Sequence, residues 1–228
     1  MTTIAALRAC YGKPEHPEPS DPFAAIVWEN VAYLVDDERR RRVFERLQRD
    51  VGIDPDRLLA AGPARIETIV APDGGMQPSR RAEKVLECAR IAMECAGGDL
   101  RAALKASDER GRRTLLKRFP GIADPGADKV LLFSGLSGRP ALESNGLRVL
   151  VRLGHVRERA SYSATYRDGI AFLSSSGVAT ASDAKLAFDL LRLHGRETCT
   201  RTKPSCGRCV LRATCPSART FGSTVSRA

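Results

Sequence analysis

An all-α fold is what the sequence predicts, and three observations predict it. Apolar residues recur at helical spacing along most of the 228 residues, and the period-two alternation of half-buried strands is nearly absent. Short glycine and proline clusters separate the periodic stretches: "APDGG" at 71–75, "AGGD" at 96–99, "FPGIADPG" at 119–126 and "LSGRPA" at 136–141.

The elements come in order. Asp21 before Pro22 offers an N-cap with proline in the first turn, and Phe23, Ile26, Val27, Val31 and Leu34 then share one face. Further helices are expected over 37–49, 54–61, 64–70, 79–96, 100–105, 111–118, 126–135, 145–153, 161–174 and 182–194. After Cys215 a polar tail is expected to fray. There is no repeat of fixed period and no low-complexity tract.

The chain opens without the basic and apolar regions of a signal peptide, and no stretch approaches the roughly 18 apolar residues needed to span a bilayer. A soluble, cytoplasmic protein is expected, nucleoid-associated in a bacterium, with no membrane partner. The formal charge of +10 and a pI near 9.6 point to a polyanionic partner. From Leu190 onward eight basic residues face the single acid Glu197, which leaves +7 of the total in that segment.

That segment also holds "CTRTKPSCGRCVLRATC", where Cys199, Cys206, Cys209 and Cys215 are separated by six, two and five residues. In a reducing compartment such a cluster binds metal rather than forming disulfides. Four thiolates suit either tetrahedral zinc or a [4Fe–4S] cluster. Zinc ribbons usually draw on two separated CxxC knuckles, so one CxxC between two single cysteines favours iron–sulfur without excluding zinc. Cys10, Cys88 and Cys95 have no such company, and Cys88 and Cys95 read as packing residues of one helix.

The cysteine spacing, with "LHGRETC" before it and "KPSCGRC" inside it, closely resembles the iron–sulfur loop of the endonuclease III family of helix–hairpin–helix DNA glycosylases. Other segments resemble that family in the same order: "SDPFAAIVWEN" its first core helix, "RRAEKVLECARI" a middle helix, "FPGIADPGADKVL" the helix–hairpin–helix, and "ALESNGLRVLVRLG" the segment after the hairpin. The resemblance implies two domains. One is a six-helix domain over 22–137 containing the hairpin; the other joins 1–21 to 138–228 and carries a [4Fe–4S] loop ligated by the four cysteines.

It also implies a site. Gly121, Ile122, Ala123 and Gly126 would line the hairpin, with Ile122 and Ala123 at its tip, and together with Arg196, Arg201, Lys203 and Arg208 of the cysteine loop would grip the backbone of double-stranded DNA. Ala123 replaces the family's second hairpin glycine, and the acidic Asp124 comes next. Gln77 in "GGMQPS" is a candidate to fill the gap left by a flipped base, against an ordinary loop residue. Glu143 falls where the family carries its catalytic aspartate, one methylene longer, with Asn145 beside it; a solvated surface glutamate is the plain alternative. The position of the lysine that lets bifunctional members cut the strand is Pro125, so lyase activity is not expected. Glu29 aligns with the catalytic glutamate of mismatch-specific adenine glycosylases, and Tyr33, four residues on, would share its cavity. There Glu29 would protonate the departing base, unless it merely bonds two helices together.

The resemblance leaves two functions open. The first is a monomeric, monofunctional glycosylase of base excision repair that flips and hydrolytically removes a damaged or mispaired base. The second is a DNA-binding relative that has lost the chemistry.

Overall fold

The computed structural model describes residues 2–222. It is helical throughout, and among the described residues the only strand-like pairing is an isolated parallel bridge between Tyr33 and Gly75. No described helix is long and apolar enough to cross a membrane. The chain divides into two compact units, Pro17–Ser137 and Met1–His16 with Gly138–Ala228.

The Pro17–Ser137 unit is built around α2 (Pro22–Asn30), which Asp21 caps by accepting from the amides of Phe23 and Ala24. Phe23, Ile26, Val27 and Trp28 are all buried, so α2 is apolar almost all round and occupies the centre of the unit. Around it stand α3 (Asp37–Asp50), α4 (Pro55–Val70), α5 (Pro78–Ala96), α6 (Leu100–Ala106), α7 (Glu109–Leu116) and α8 (Asp124–Phe133). That makes seven helices where the resemblance implies six; α6 and α7 are separate, as expected over 100–105 and 111–118, with Asp99 and Asp108 as their caps. The expected pair over 54–61 and 64–70 is found as the two helical runs of α4, which part at Gly62, where φ is 70° and ψ 172° just before Pro63. Cys88 is fully buried, and burial pushes its thiol up to about 12, which makes it an inert core group.

The stripe of α2 does not run on to Leu34. The helix stops at Asn30, and the Tyr33 amide bonds instead to the Gly74 carbonyl at 2.9 Å. Leu34 consequently sits at φ 56° and is 73% exposed. Arg40 reinforces the stop by donating to the Trp28 carbonyl at 2.9 Å, a side-chain cap on the last turn.

The second unit has its own core, with Leu7, Leu142, Leu147, Leu150, Tyr166, Ile170, Leu190 and Leu191 buried. Its helices are α1 (Thr3–Tyr11), which the periodicity of the sequence does not disclose, α9 (Ser144–Arg152), α10 (Tyr162–Ser175) and α11 (Ala181–Glu197). α11 begins with a capping box between Thr180 and Asp183. Beyond it the cysteine loop makes two short 3-10 turns at Cys206–Arg208 and Arg212–Thr214. The expected fraying after Cys215 gives way to α12 (Ser217–Gly222), and residues 223–228 lie outside the described residues.

The Tyr33–Gly75 bridge requires a bare backbone, since a Cβ on Gly75 would meet the Tyr33 carbonyl oxygen at 2.2 Å, at φ 81°. Gly75→Ala is expected to lower stability by about 1–3 kcal/mol through this clash and the φ penalty. Chemical denaturation measures it, and an unchanged midpoint would show that the two loops are not held together there.

Candidate DNA-repair site

Glu143 is the N-cap of α9. One carboxylate oxygen accepts from the Gly146 amide at 2.7 Å and the other from Asn145 Nδ2 at 2.7 Å. A carboxylate at a helix N-terminus is favoured by the exposed amides and the dipole. Its longer side chain is therefore held, and the surface alternative does not describe it. Each oxygen keeps a further lone pair, enough to meet a cation or a water. The Tyr162 hydroxyl shares this field: burial first, and then the Glu143 charge, hold it above its ordinary range.

The fixing continues away from Glu143. Asn145 turns its Oδ1 to Arg148 Nη2 at 2.8 Å, while Arg148 also donates to the Gly195 carbonyl at 2.7 Å and the Cys199 carbonyl at 3.0 Å. One turn later, Arg152 donates to the carbonyls of Cys199, Thr200 and Arg201 and to the Cys199 sulfur at 3.3 Å. Asn145, Arg148 and Arg152 thus stand at helical spacing on one face of α9 and bind the start of the cysteine loop. Neither arginine is among the residues singled out from the sequence, although the N-x-x-R-x-x-x-R spacing is visible there.

The four cysteines line a common, largely apolar space with His194, Arg152 and Leu211. Among the described residues no three His, Cys, Asp or Glu side chains converge on a point that could hold a single ion. The Cys209 sulfur accepts from the Leu211 amide at 3.4 Å. Burial raises the Cys206 and Cys209 thiols, so their ionised forms need a cation to stabilise them. Arg201, Lys203 and Arg208 are exposed on the loop, and Arg208 also donates to the Glu197 carbonyl at 3.1 Å. Arg196 is part-buried, with Glu197 3.9 Å away.

In the other unit, Gly121 has φ 75° and is exposed at the hairpin, as is Ala123. Ala123 caps α8 without a side-chain bond, which leaves the first amides of that helix open to an anion. Ile122 is not at the tip: it is 5% exposed and packs into the core, its methyls about 3.5 Å from where a Cβ on Gly126 would lie. Apolar burial outweighs exposure at a turn. Asp124 does not oppose a phosphate freely either, because Lys117 and Arg113 bond to it and hold its carboxyl below the usual range. Asn30, buried at 2% exposure, fixes the turn by donating to the carbonyls of Ile26 and Pro120.

Glu29 is not in the apolar cavity expected of it. It contacts the Lys129 ammonium, which also reaches Glu18 at 2.8 Å. Burial lowers the Lys129 pKa, but the charges of Glu18 and then Glu29 outweigh burial and hold it above its ordinary value. Tyr33 is not its neighbour on a helix; it is 51% exposed, and the Arg81 guanidinium lies 5.2 Å from its ring centroid. The bridge at Gly75 brings Tyr33 and Leu34 alongside the exposed Met76 and Gln77. Gln77 takes a left-handed φ of 58° just before Pro78, a strained state for a side chain facing solvent.

α9 and α11 meet closely at Gly195, where a Cβ would lie 2.5 Å from the Asn145 carbonyl oxygen. Gly195→Ala is expected to cost about 3 kcal/mol by forcing the helices apart. Amide exchange at Gly146 and Leu147 should then speed up, and unaltered exchange would refute the coupling of Glu143 to the loop.

No protein-family model matches the sequence. A curated endonuclease III from Sulfolobus acidocaldarius is 28% identical over 195 residues, which span 85% of this chain and 81% of the relative. Among solved structures, an endonuclease III trapped in a covalent intermediate with DNA superposes with a TM-score of 0.75 at 16% identity, over 95% of this chain and 94% of that one. A thermostable thymine-DNA glycosylase superposes with a TM-score of 0.73 at 15% identity, over 95% of both chains. The chain is similar to endonuclease III along most of its length and has the fold of the solved endonuclease III structures.

Proposed function

We propose that this protein is a monofunctional DNA glycosylase that hydrolyses the bond between a damaged or mispaired base and its sugar in duplex DNA. The observation that carries the reading is the Glu143 carboxylate, fixed at both oxygens at the start of α9. Loss of a base builds positive charge on the sugar, and a preorganised carboxylate stabilises that charge and orients the attacking water.

Strand cleavage would need an amine nucleophile. Pro125 has none, and the Lys129 ammonium is held between two carboxylates without a lone pair to offer. The same pair revises Glu29: with an ammonium against it, it serves as an acceptor toward the extruded base, not as the acid. Gln77 and its exposed neighbours Leu34 and Met76 would occupy the stack that the base leaves. The open amides of α8 and the exposed Arg201, Lys203 and Arg208 would hold phosphates.

Cys199, Cys206, Cys209 and Cys215 would hold a [4Fe–4S] cluster. When bound, it supplies a rigid, many-armed crosslink for the loop. The protein side of that crosslink is the set of carbonyls and the sulfur gripped by Arg148 and Arg152.

The test is a panel of duplexes bearing uracil, oxidised pyrimidines, alkylated purines, hypoxanthine, A·8-oxoguanine or T·G, treated afterwards with alkali to reveal abasic sites. Alkali-dependent cleavage of at least one substrate is expected, falling about 10²-fold or more in Glu143→Gln. Tight binding with no base released would establish the non-catalytic relative. Nicking without alkali would overturn the monofunctional assignment.

A further inference from the structure

One buried polar chain in the second unit plays no part in the chemistry above. His194 is 1% exposed in the last turns of α11. Its Nε2 lies 3.6 Å from the Cys209 sulfur, and its Nδ1 lies 2.9 Å from the Tyr11 hydroxyl. That hydroxyl is also 2.9 Å from Thr198 Oγ1. Tyr11 ends α1, so the chain joins residues from opposite ends of the protein sequence at one sulfur.

The proton count selects one arrangement. Buried at 1% exposure against a hydroxyl and a sulfur, the uncharged ring carries one N–H. With that proton on Nδ1, a lone pair on Nε2 would face the electron-rich sulfur. With it on Nε2, every contact pairs a donor with an acceptor: Thr198 O–H to Tyr11 oxygen, Tyr11 O–H to Nδ1, and Nε2–H to Cys209 Sγ. Each donor then polarises the next toward the sulfur. The Leu211 amide adds a second N–H to Cys209.

We propose that Tyr11 and Thr198 lock His194 in the Nε2–H tautomer, and that this relay makes Cys209 a specially tuned ligand that retains the cluster and raises its reduction potential. Donors to a ligating sulfur withdraw electron density and so favour the reduced, more negative cluster. The inference rests on the iron–sulfur reading of the loop, and α1 becomes part of the cluster's surroundings. Tyr11, Thr198 and His194 are positioning residues here, since none touches the substrate.

The experiment uses the iron-loaded full chain and reads three quantities: iron per chain, the rate at which a chelator bleaches the visible iron–sulfur absorbance, and the midpoint potential. Tyr11→Phe removes one oxygen and is expected to keep about four irons and the helical circular dichroism. It should bleach about 10-fold faster than wild type, with a more negative midpoint potential. Thr198→Val, which removes the outermost donor, should move both readouts in the same direction by less. His194→Gln should match or exceed Tyr11→Phe, and if it fails to fold the other two variants still decide. An iron-loaded Tyr11→Phe with wild-type bleaching and potential overturns the inference. Wild type that takes up no iron overturns the cluster reading itself, and the relay with it.

Discussion

α9 carries the two guanidinium groups that organise the cysteine loop, and the carboxylate proposed for the chemistry is its N-cap, one residue before its start. Guanidinium groups present five donors in a rigid fork, and those of Arg148 and Arg152 are spent largely on backbone carbonyls of the α11 end and the loop. The loop's own hydrogen bonds close short turns within it, and these external donors fix its start against α9. Asn145 closes the connection, accepting from Arg148 and donating to Glu143. The position of Glu143 and the form of the loop are therefore one mechanical problem, and Gly195 is a glycine because α11 must come close enough to share in it.

The Pro17–Ser137 unit solves a different problem, that of presenting a turn and two strained loops from a closely packed body. α2 is buried on nearly every side, and its last residue, Asn30, reaches the hairpin at Pro120. Arg113 joins Asp124 to the buried Asp128 and so stiffens the same hairpin from below. The result is an open set of amides at α8 whose neighbouring acid is already neutralised. Lys129 shows the same economy of charge: two carboxylates compensate its burial, and the ammonium loses any nucleophilic character in the exchange.

The resemblance carried by the cysteine spacing and the hairpin motif leads to the right fold because both are local. Each is a run of residues whose chemistry requires its neighbours in the chain, so it survives at low identity. Glu143 is singled out in the same way, through its distance from the hairpin, and the structure adds that it caps α9. Glu29 is legible as a position but not as an environment, since Lys129 and Glu18, which define its surroundings, are contributed by other segments of the chain. Tyr33 is misplaced when helical periodicity is extended past Asn30, where a bridge to Gly75 takes over the backbone bonds. Ile122 is expected at an exposed tip because turn residues are usually exposed, whereas here the turn folds back onto its own core.

By itself the sequence determined the all-helical class, most helix boundaries, the grouping of four thiols and the absence of a lysine at Pro125, because periodicity, capping and spacing act over a few residues. Tertiary structure alone decided which charges and polar groups meet: Lys129 with Glu29, Arg148 with the Cys199 carbonyl, and Tyr11 with His194. The last of these encounters joins residues 183 positions apart, and the energies of all three depend on burial and direction, which no local pattern records.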